Sequence, residues 1–130
     1  MSSLISKYEN AGLIISVMRT AGAATIAWTG ESDSRSPGDF LNPLIAKLAK
    51  ELANLNVTLD FSELTYMNSS TVAPLLLCIK SLDATAGSVL VCFSDADWQR
   101  THVQCVRTIS RSLKKVRIEV KSKTASEAAT

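Results

Sequence analysis

The sequence is poor in the residues on which catalysis and metal binding usually depend. Its 130 residues include a single histidine, and its three cysteines show no C-x-x-C spacing. Structural metal sites commonly need about four Cys or His ligands. Neither a G-x-S-x-G turn nor a glycine-rich phosphate loop is present. These absences predict no catalytic residues, no metal and no cofactor, so we expect a protein that is not an enzyme.

A serine-based active site would need a general base beside a hydroxyl. Ser69 or Ser70 could act as the nucleophile, His102 as the base, and Asp33 or Asp60 as the acid that orients the base. His102, however, falls on the apolar stripe of a predicted helix. We interpret it as a packed, hydrogen-bonded histidine rather than a catalytic base.

Aromatic residues are scarce, at 5%, and charge is nearly balanced, with fourteen Lys and Arg against twelve Asp and Glu. The basic residues concentrate from Arg100 onward, but they are dispersed and lack neighbouring aromatic side chains that could stack on bases. We therefore expect no nucleic-acid partner.

Long apolar runs are also missing. None approaches the roughly 18 residues of a membrane span, and the N-terminus lacks the basic-then-apolar pattern of a signal peptide. We expect no membrane insertion and a cytoplasmic location. Cys78, Cys92 and Cys105 each lie in an apolar segment, and we predict three buried, reduced thiols.

Apolar residues are present in quantity, at 46% of the chain, which is enough for the core of one compact domain. We place that domain at residues 1–120 and a polar tail at residues 121–130. The predicted elements are a hairpin of strands 12–20 and 23–29, a helix 40–54, a strand 57–61, a helix 72–82, a strand 88–93, a helix ending near 113 and a strand 116–120.

Several local signals set the expected boundaries of these elements. Gly30 is predicted to close the second strand, and Asp39 to cap the first helix. Asp95 or Asp97 is predicted to cap the last helix. The apolar stripe of that helix is predicted to hold Trp98, His102, Cys105 or Val106, Ile109 and Leu113.

Strands that are connected through helices pair in parallel, whereas a hairpin pairs antiparallel. The sequence therefore predicts an α/β fold with a mixed sheet, an N-terminal hairpin and three to four helices.

The stretch YMNSSTVAP, Tyr66–Pro74, places four small hydrogen-bonding residues between a strand-like and a helix-like run. Such residues cap helices by accepting hydrogen bonds from the first free N–H groups. One cap needs one such residue, and this stretch has four. They fall where a strand ends and a helix begins, the usual place for ligands and partners in α/β sheets.

Three separated stretches resemble the STAS domain, the family of anti-sigma-factor antagonists and sulfate-transporter domains. GESD (Gly30–Asp33) is similar to the family's Gly-Glu-Leu-Asp signature. LDFSELTYMNSST (Leu59–Thr71) is similar to its Leu-Asp-Leu-Ser stretch followed by Asp-Ser-Ser-Gly, and GSVLVCF resembles its next strand. The resemblance runs from about Gly12 to Val120 and implies the STAS-like mixed sheet.

In bacterial antagonists of this family, the first serine of Asp-Ser-Ser is phosphorylated by a kinase that is also the anti-sigma factor, and a phosphatase reverses the modification. The resemblance implies Ser69 as the phospho-acceptor, with Ser70 and Thr71 as alternatives. It implies a partner-binding surface of Asp33, Asn68, Ser69, Ser70 and Thr71. The expected function is partner switching by an anti-sigma factor antagonist-like phosphoprotein in signal transduction.

The chain departs from the family pattern at two positions. Asn68 replaces the aspartate, and Thr71 replaces the glycine. Asparagine keeps the size and the hydrogen bonding of aspartate but cannot act as a base. An amide here resembles a related branch of single-domain STAS-like regulators in which Asn precedes the phosphorylated hydroxyl.

Two other functions fit the residues. One is a STAS-like module that binds a nucleotide or a lipid, for which Tyr66, Arg35 and Trp28 are the available aromatic and basic side chains. The other is a non-phosphorylated scaffold domain in which the hydroxyls only cap a helix. The charged loop from Gly30 to Gly38 bears on the choice, since a partner-binding role for Asp33 predicts that Asp33→Ala weakens binding with little change in Tm.

Overall fold

The computed structural model describes residues 4–121. Its strands are β1 (Leu4–Asn10), β2 (Leu13–Thr20), β3 (Ala23–Ser32), β4 (Asn56–Asp60), β5 (Leu64–Met67), β6 (Ser88–Ser94) and β7 (Val116–Lys121). Its helices are α1 (Pro37–Glu51), α2 (Val72–Thr85) and α3 (Asp97–Ser110), and a 3₁₀ turn, Ser69–Thr71, leads into α2. Of the predicted tail, Lys121 belongs to β7, and residues 122–130 lie outside the described residues.

The seven strands form one mixed sheet in the order β1-β2-β3-β4-β6-β7, with β5 paired to the end of β3. The first three strands are antiparallel, and β3, β4, β6 and β7 run parallel, linked by the three helices. The predicted mixed α/β, STAS-like fold with an N-terminal hairpin is confirmed. The strands β1 and β5 were not predicted.

The core lies between the helices and one face of the sheet. Alternate residues of the central strands point into it, among them Ile26, Trp28 and Leu59, while the intervening residues are less buried. Trp28 meets Phe61 edge-on at 4.9 Å between ring centroids, and Phe61 stacks on Phe93 at 5.3 Å. No helix among residues 4–121 has the length and apolar character needed to cross a bilayer.

Gly30 does not close β3, contrary to the prediction, because the strand continues to Ser32. Its φ of +82° and a shift of register after it form an irregularity through which β3 passes from pairing with β4 to pairing with β5. A Cβ on Gly30 would lie 2.1 Å from the carbonyl oxygen of Gly12. Gly30 must therefore be a glycine, and it lies just before the last two residues of β3, where the strand begins to pair with β5.

The predicted helix caps were wrong. α1 begins at Pro37 with Ser36 as its N-cap residue, and Asp39 lies inside the first turn. Proline suits that first position because the missing N–H would have no partner there. α3 begins at Asp97 after Ala96, so neither Asp95 nor Asp97 is the N-cap residue.

The inner face of α3 agrees with the predicted stripe only in part. Among the side chains of α3 that the structure describes, the buried ones are Gln99, Val103 and Val106, which follow one another at intervals of four and three. Val106 was predicted, and Leu113 packs against the core as expected, whereas the side chain of Trp98 lies outside the described residues. His102 is only half-buried, and Cys105 is exposed. The prediction of three buried thiols is therefore wrong for Cys105.

Cys78 and Cys92 are buried, as predicted. Burial raises the pKa of the Cys78 thiol to about 12. Burial also raises the pKa of Cys92, with the nearby Asp60 carboxylate adding to the effect. Both thiols therefore stay protonated and unreactive at neutral pH.

Candidate functional site

The ends of β3 and β5 lie side by side and bring two loops together. Ser32 pairs with Met67 in the parallel ladder, and the N–H of Asn68 donates to the Ser32 carbonyl at 2.9 Å. The chain after β3 leads into α1, and the chain after β5 leads into the 3₁₀ turn and α2. The stretch predicted as a site is therefore a junction of two strand ends and two helix starts.

Asn68 joins the two loops through both ends of its side-chain amide. Its Oδ1 accepts from the N–H of Thr71 at 3.1 Å and from the Thr71 hydroxyl at 2.8 Å. Its Nδ2 donates to the Ser34 carbonyl oxygen at 2.8 Å. Asn68 is thus the N-cap of the helical segment and also the tether of the β3–α1 loop.

Thr71 and Ser32 form a buried pair of hydroxyls beneath this tether. Their Oγ atoms are 2.7 Å apart, and the residues are 0% and 2% exposed. Because Asn68 Oδ1 can only accept, the one Thr71 hydroxyl proton is directed to it. Ser32 is therefore the donor in the Ser32–Thr71 hydrogen bond. Thr71 is a structural residue, and kinase access to its hydroxyl would require the segment to open.

Ser69 and Ser70 differ from their neighbours in the same turn because both are exposed. Neither hydroxyl takes part in a hydrogen bond among residues 4–121, in contrast to Asn68 and Thr71. The four hydrogen-bonding residues of the quoted stretch thus divide into two that hold the fold and two that face solvent. Capping accounts for the first two only.

The surface beside Ser69 on the α2 side includes exposed apolar side chains. Ala73 and Leu77 follow Ser69 at intervals of four along the helical segment, which places the three residues on one face. Leu77 is 41% exposed, and Tyr66, on β5, is 47% exposed. The first turn of α2 carries no acidic residue. Exposed apolar side chains beside free hydroxyls make this face suitable for protein contact.

The other predicted partner-binding residue, Asp33, belongs to the loop that Asn68 tethers. It is exposed and lies between Ser32 and Ser34, both of which are hydrogen-bonded to the 68–71 segment. The structure therefore brings together all five predicted residues, Asp33 and residues 68–71, although Thr71 lies beneath the surface. Arg35, also exposed, is in the same loop.

Gln99 supports this junction from α3, and no sequence prediction included it. Its side chain is 1% exposed, accepts from the Ser94 N–H at 2.7 Å, and donates to the carbonyls of Phe61 at 3.0 Å and Leu64 at 3.1 Å. It thereby holds the turn from which β5 begins. Gln99 precedes Val103 and Val106 at helical spacing on the same face, and this spacing could have indicated from the sequence that Gln99 is buried.

Asp60 has a structural partner that bears on its suggested role as an orienting acid. Its Oδ1 accepts from the N–H of Ser62 at 2.9 Å and from the Ser62 hydroxyl at 2.6 Å, which closes the β4–β5 turn. Its other oxygen lies 3.6 Å from Lys121 Nζ. Burial lowers the pKa of His102, so the imidazole is neutral at pH 7.

The residues suggested for a small ligand do not form one platform. Trp28 is fully buried in the core, whereas Tyr66 and Arg35 are exposed. The cavity beside the β3–α1 loop, lined in part by Ser32, Asp33 and Ser34, has a volume of about 10 Å³. That volume is comparable to one water molecule and cannot hold a nucleobase.

The fold is similar to that of a known group of structures. The mixed sheet with its helices on one face is STAS-like. Among solved structures it is similar to SiaC of Pseudomonas aeruginosa, with a TM-score of 0.62 and 15% sequence identity over 93% of this chain and 100% of that chain. No protein-family model and no curated protein matches the sequence. At this identity the likeness establishes the fold.

Proposed function

We propose that this protein is a partner-switching regulator that binds another protein through the surface around Ser69 and releases it when Ser69 is phosphorylated. The observation that carries the proposal is the division of labour within one turn. Asn68 and Thr71 hold the junction, which leaves the Ser69 hydroxyl exposed and without a structural hydrogen bond. The STAS-like fold and the resemblance at residues 59–71 support the same function.

The partners follow from the resemblance. We propose an anti-sigma factor-type serine kinase that the unmodified protein binds, and a phosphatase that restores the serine. The kinase transfers the terminal phosphoryl group of ATP to Ser69 Oγ, with cleavage of the bond to the β-phosphate. The Asn68 amide cannot accept the hydroxyl proton, so the kinase supplies the base.

Phosphate at Ser69 would be compatible with the fold. It adds roughly −1.5 to −2 charges at the start of a helical segment, where free N–H groups and the helix dipole favour an anion. It need not disturb Asn68 or Thr71, whose hydrogen bonds lie on the inner side of the turn. The fold can therefore persist while the surface changes.

The effect on a partner would be large. A protein that packs on Leu77, Tyr66 and the neutral hydroxyls would have to desolvate a dianion after modification. Burying an uncompensated charge at an interface costs several kcal/mol, enough to reverse ordinary binding. The switch then operates through surface electrostatics, without a rearrangement of the core.

The test is to map phosphate on the protein isolated from its source cells. Intact mass and peptide fragmentation should locate one phosphate on Ser69. Ser69→Ala should abolish it, while Ser70→Ala, a matched change of the adjacent exposed hydroxyl, should leave it in place. Phosphate on Ser70 alone would move the acceptor by one residue. An unmodified protein under all growth conditions would contradict the switch.

A further inference from the structure

The C-terminal part of the described chain has an excess of positive charge and lies outside the proposed Ser69 surface. Residues 98–121 contain seven Lys or Arg and one acidic residue, Glu119. They form most of α3 and all of β7, which lie beyond β4 and β6 from the site end of β3. The basic segment is therefore a separate region of the molecule.

A groove opens in this basic region beside α3 and β7. It has a volume of about 390 Å³, and Val103 and Val120 supply its apolar side chains. Exposed Arg107 and Gln104 line it from α3, and Asp95, which directly follows β6, lines it as well. Apolar residues flanked by an exposed guanidinium suit a ligand that has both apolar and acidic groups.

The adjacent strand offers backbone hydrogen bonds as well. β7 pairs with β6 on one side, and no strand among residues 4–121 pairs with its outer edge. Val116, Ile118 and Val120 are half-buried against the core, while the alternate residues are exposed. An edge strand beside a helix is the geometry to which extended peptides add by β-augmentation.

We propose that the α3–β7 groove binds an extended acidic segment of a partner protein. The segment adds to the outer edge of β7 and places alternate apolar side chains over Val103 and Val120. Its carboxylates pair with Arg107, whose guanidinium can bind them in bidentate fashion.

The features of the groove favour a peptide over the other ligands that basic surfaces bind. Among the described side chains, those that line the groove include no aromatic ring on which a nucleobase could stack. The large hydrophobic residues that are exposed among the described side chains, Met18, Tyr66 and Leu77, all lie outside α3 and β7. A concave apolar floor beside a free edge fits an extended chain.

The probe for this site is a fluorescent, end-capped peptide that alternates glutamate and valine over seven residues, titrated into the full-length protein. We expect saturable binding that weakens as salt rises from about 50 to about 300 mM. Arg107→Glu should weaken binding about tenfold or more, and Gln104→Arg should strengthen it. Lys7→Glu, the same change of charge at an exposed position of the edge strand β1, should leave affinity unchanged.

Amide chemical shifts recorded during the titration locate the contact, and we expect the changes to concentrate in β7 and α3. Equal affinity for a lysine–valine peptide, or an Arg107→Glu variant that binds as well as the wild type, would overturn the proposal. Tighter, Arg107-dependent binding of oligodeoxythymidine or of phosphatidylserine vesicles would assign the surface to nucleic acid or membrane instead. A dimer in sedimentation whose contact maps to β7 would assign it to a second copy of the chain.

Discussion

At the residue scale, the amide of Asn68 has two functions that can be separated by mutation. Asn68→Asp keeps the oxygen that caps the helical segment. It replaces Nδ2, which lies 2.8 Å from the Ser34 carbonyl oxygen in the wild type, with a second oxygen that cannot donate a hydrogen bond to that carbonyl. We expect a loss of about 1 kcal/mol, since a lost hydrogen bond is partly offset by a favourable charge at the helix start. Asn68→Ala removes the cap too and should cost about 2–3 kcal/mol.

Denaturant unfolding gives these stabilities, and hydrogen exchange shows where each variant loosens. The β3–α1 loop should exchange faster in both variants, and the start of α2 only in Asn68→Ala. An aspartate variant with wild-type stability and unchanged loop exchange would show that the Ser34 contact does not hold the loop.

Gly30 and Gly22 form a matched pair of glycines at the same scale. Both have a φ of +82°, but a Cβ on Gly30 would meet the Gly12 carbonyl at 2.1 Å, whereas one on Gly22 would meet nothing within 4 Å. Gly22→Ala should therefore cost only the conformational strain, about 1 kcal/mol. Gly30→Ala adds a backbone clash and should cost at least about 2 kcal/mol more. If both variants lose the same free energy of unfolding in chemical denaturation, the backbone clash does not occur and Gly30 is not required by the structure at the site.

The sequence shows which residues form the junction, but it does not show which of them are hydrogen-bonded within the fold and which face solvent. Four adjacent hydrogen-bonding residues looked equivalent, because a helix start exposes or buries each of them according to the direction in which it meets the sheet. Thr71 is buried because its hydroxyl forms a hydrogen bond with the hydroxyl of Ser32, a residue 39 positions earlier in the sequence. Such a long-range pair has no local signal.

At the element scale, α3 and the β4–β5 turn are coupled through Gln99. Gln99→Leu would leave three backbone groups without their partner, those of Ser94, Phe61 and Leu64. We expect a loss of at least about 3 kcal/mol, with faster amide exchange in β5. Gln104→Leu, the same change at an exposed position of the same helix, should stay within about 0.5 kcal/mol of the wild type. Similar stabilities for the two variants in thermal or denaturant unfolding would contradict this role.

Elements with strong periodicity were predicted well, and elements defined by pairing were not. The hairpin strands, α2 and β6 carry continuous apolar patterns, so their positions were confirmed with shifts of a few residues at the ends. β5 has four residues and depends on the register shift at Gly30 for its partner. The inner face of α3 was predicted correctly at Val106 but not at Val103, because Gln99, a buried polar residue, belongs to the same row.

At the scale of the whole molecule, the mixed sheet separates two surfaces laterally. The ends of β3 and β5 present Ser69 at one junction, and the basic α3–β7 region lies at the β7 edge of the sheet, beyond β4 and β6 from β3. Because the junction is held by buried and partly buried hydrogen bonds that do not involve the Ser69 hydroxyl, we expect a charge added to Ser69 to change the surface and not the fold. The account therefore predicts that binding and stability respond independently to changes at Ser69.

The most direct test of the central claim measures both quantities on Ser69→Ala and Ser69→Asp. A partner is captured with the unmodified protein, and its affinity for each variant is measured beside the Tm. We expect both variants to melt within the equivalent of about 0.5 kcal/mol of the wild type, because the cap is Asn68. Ser69→Ala should bind as the wild type does, and Ser69→Asp about tenfold or more weakly, while Ser6→Asp, at an exposed position of β1, should bind normally. A destabilised alanine variant together with a fully binding aspartate variant would contradict the switch and make Ser69 a structural residue.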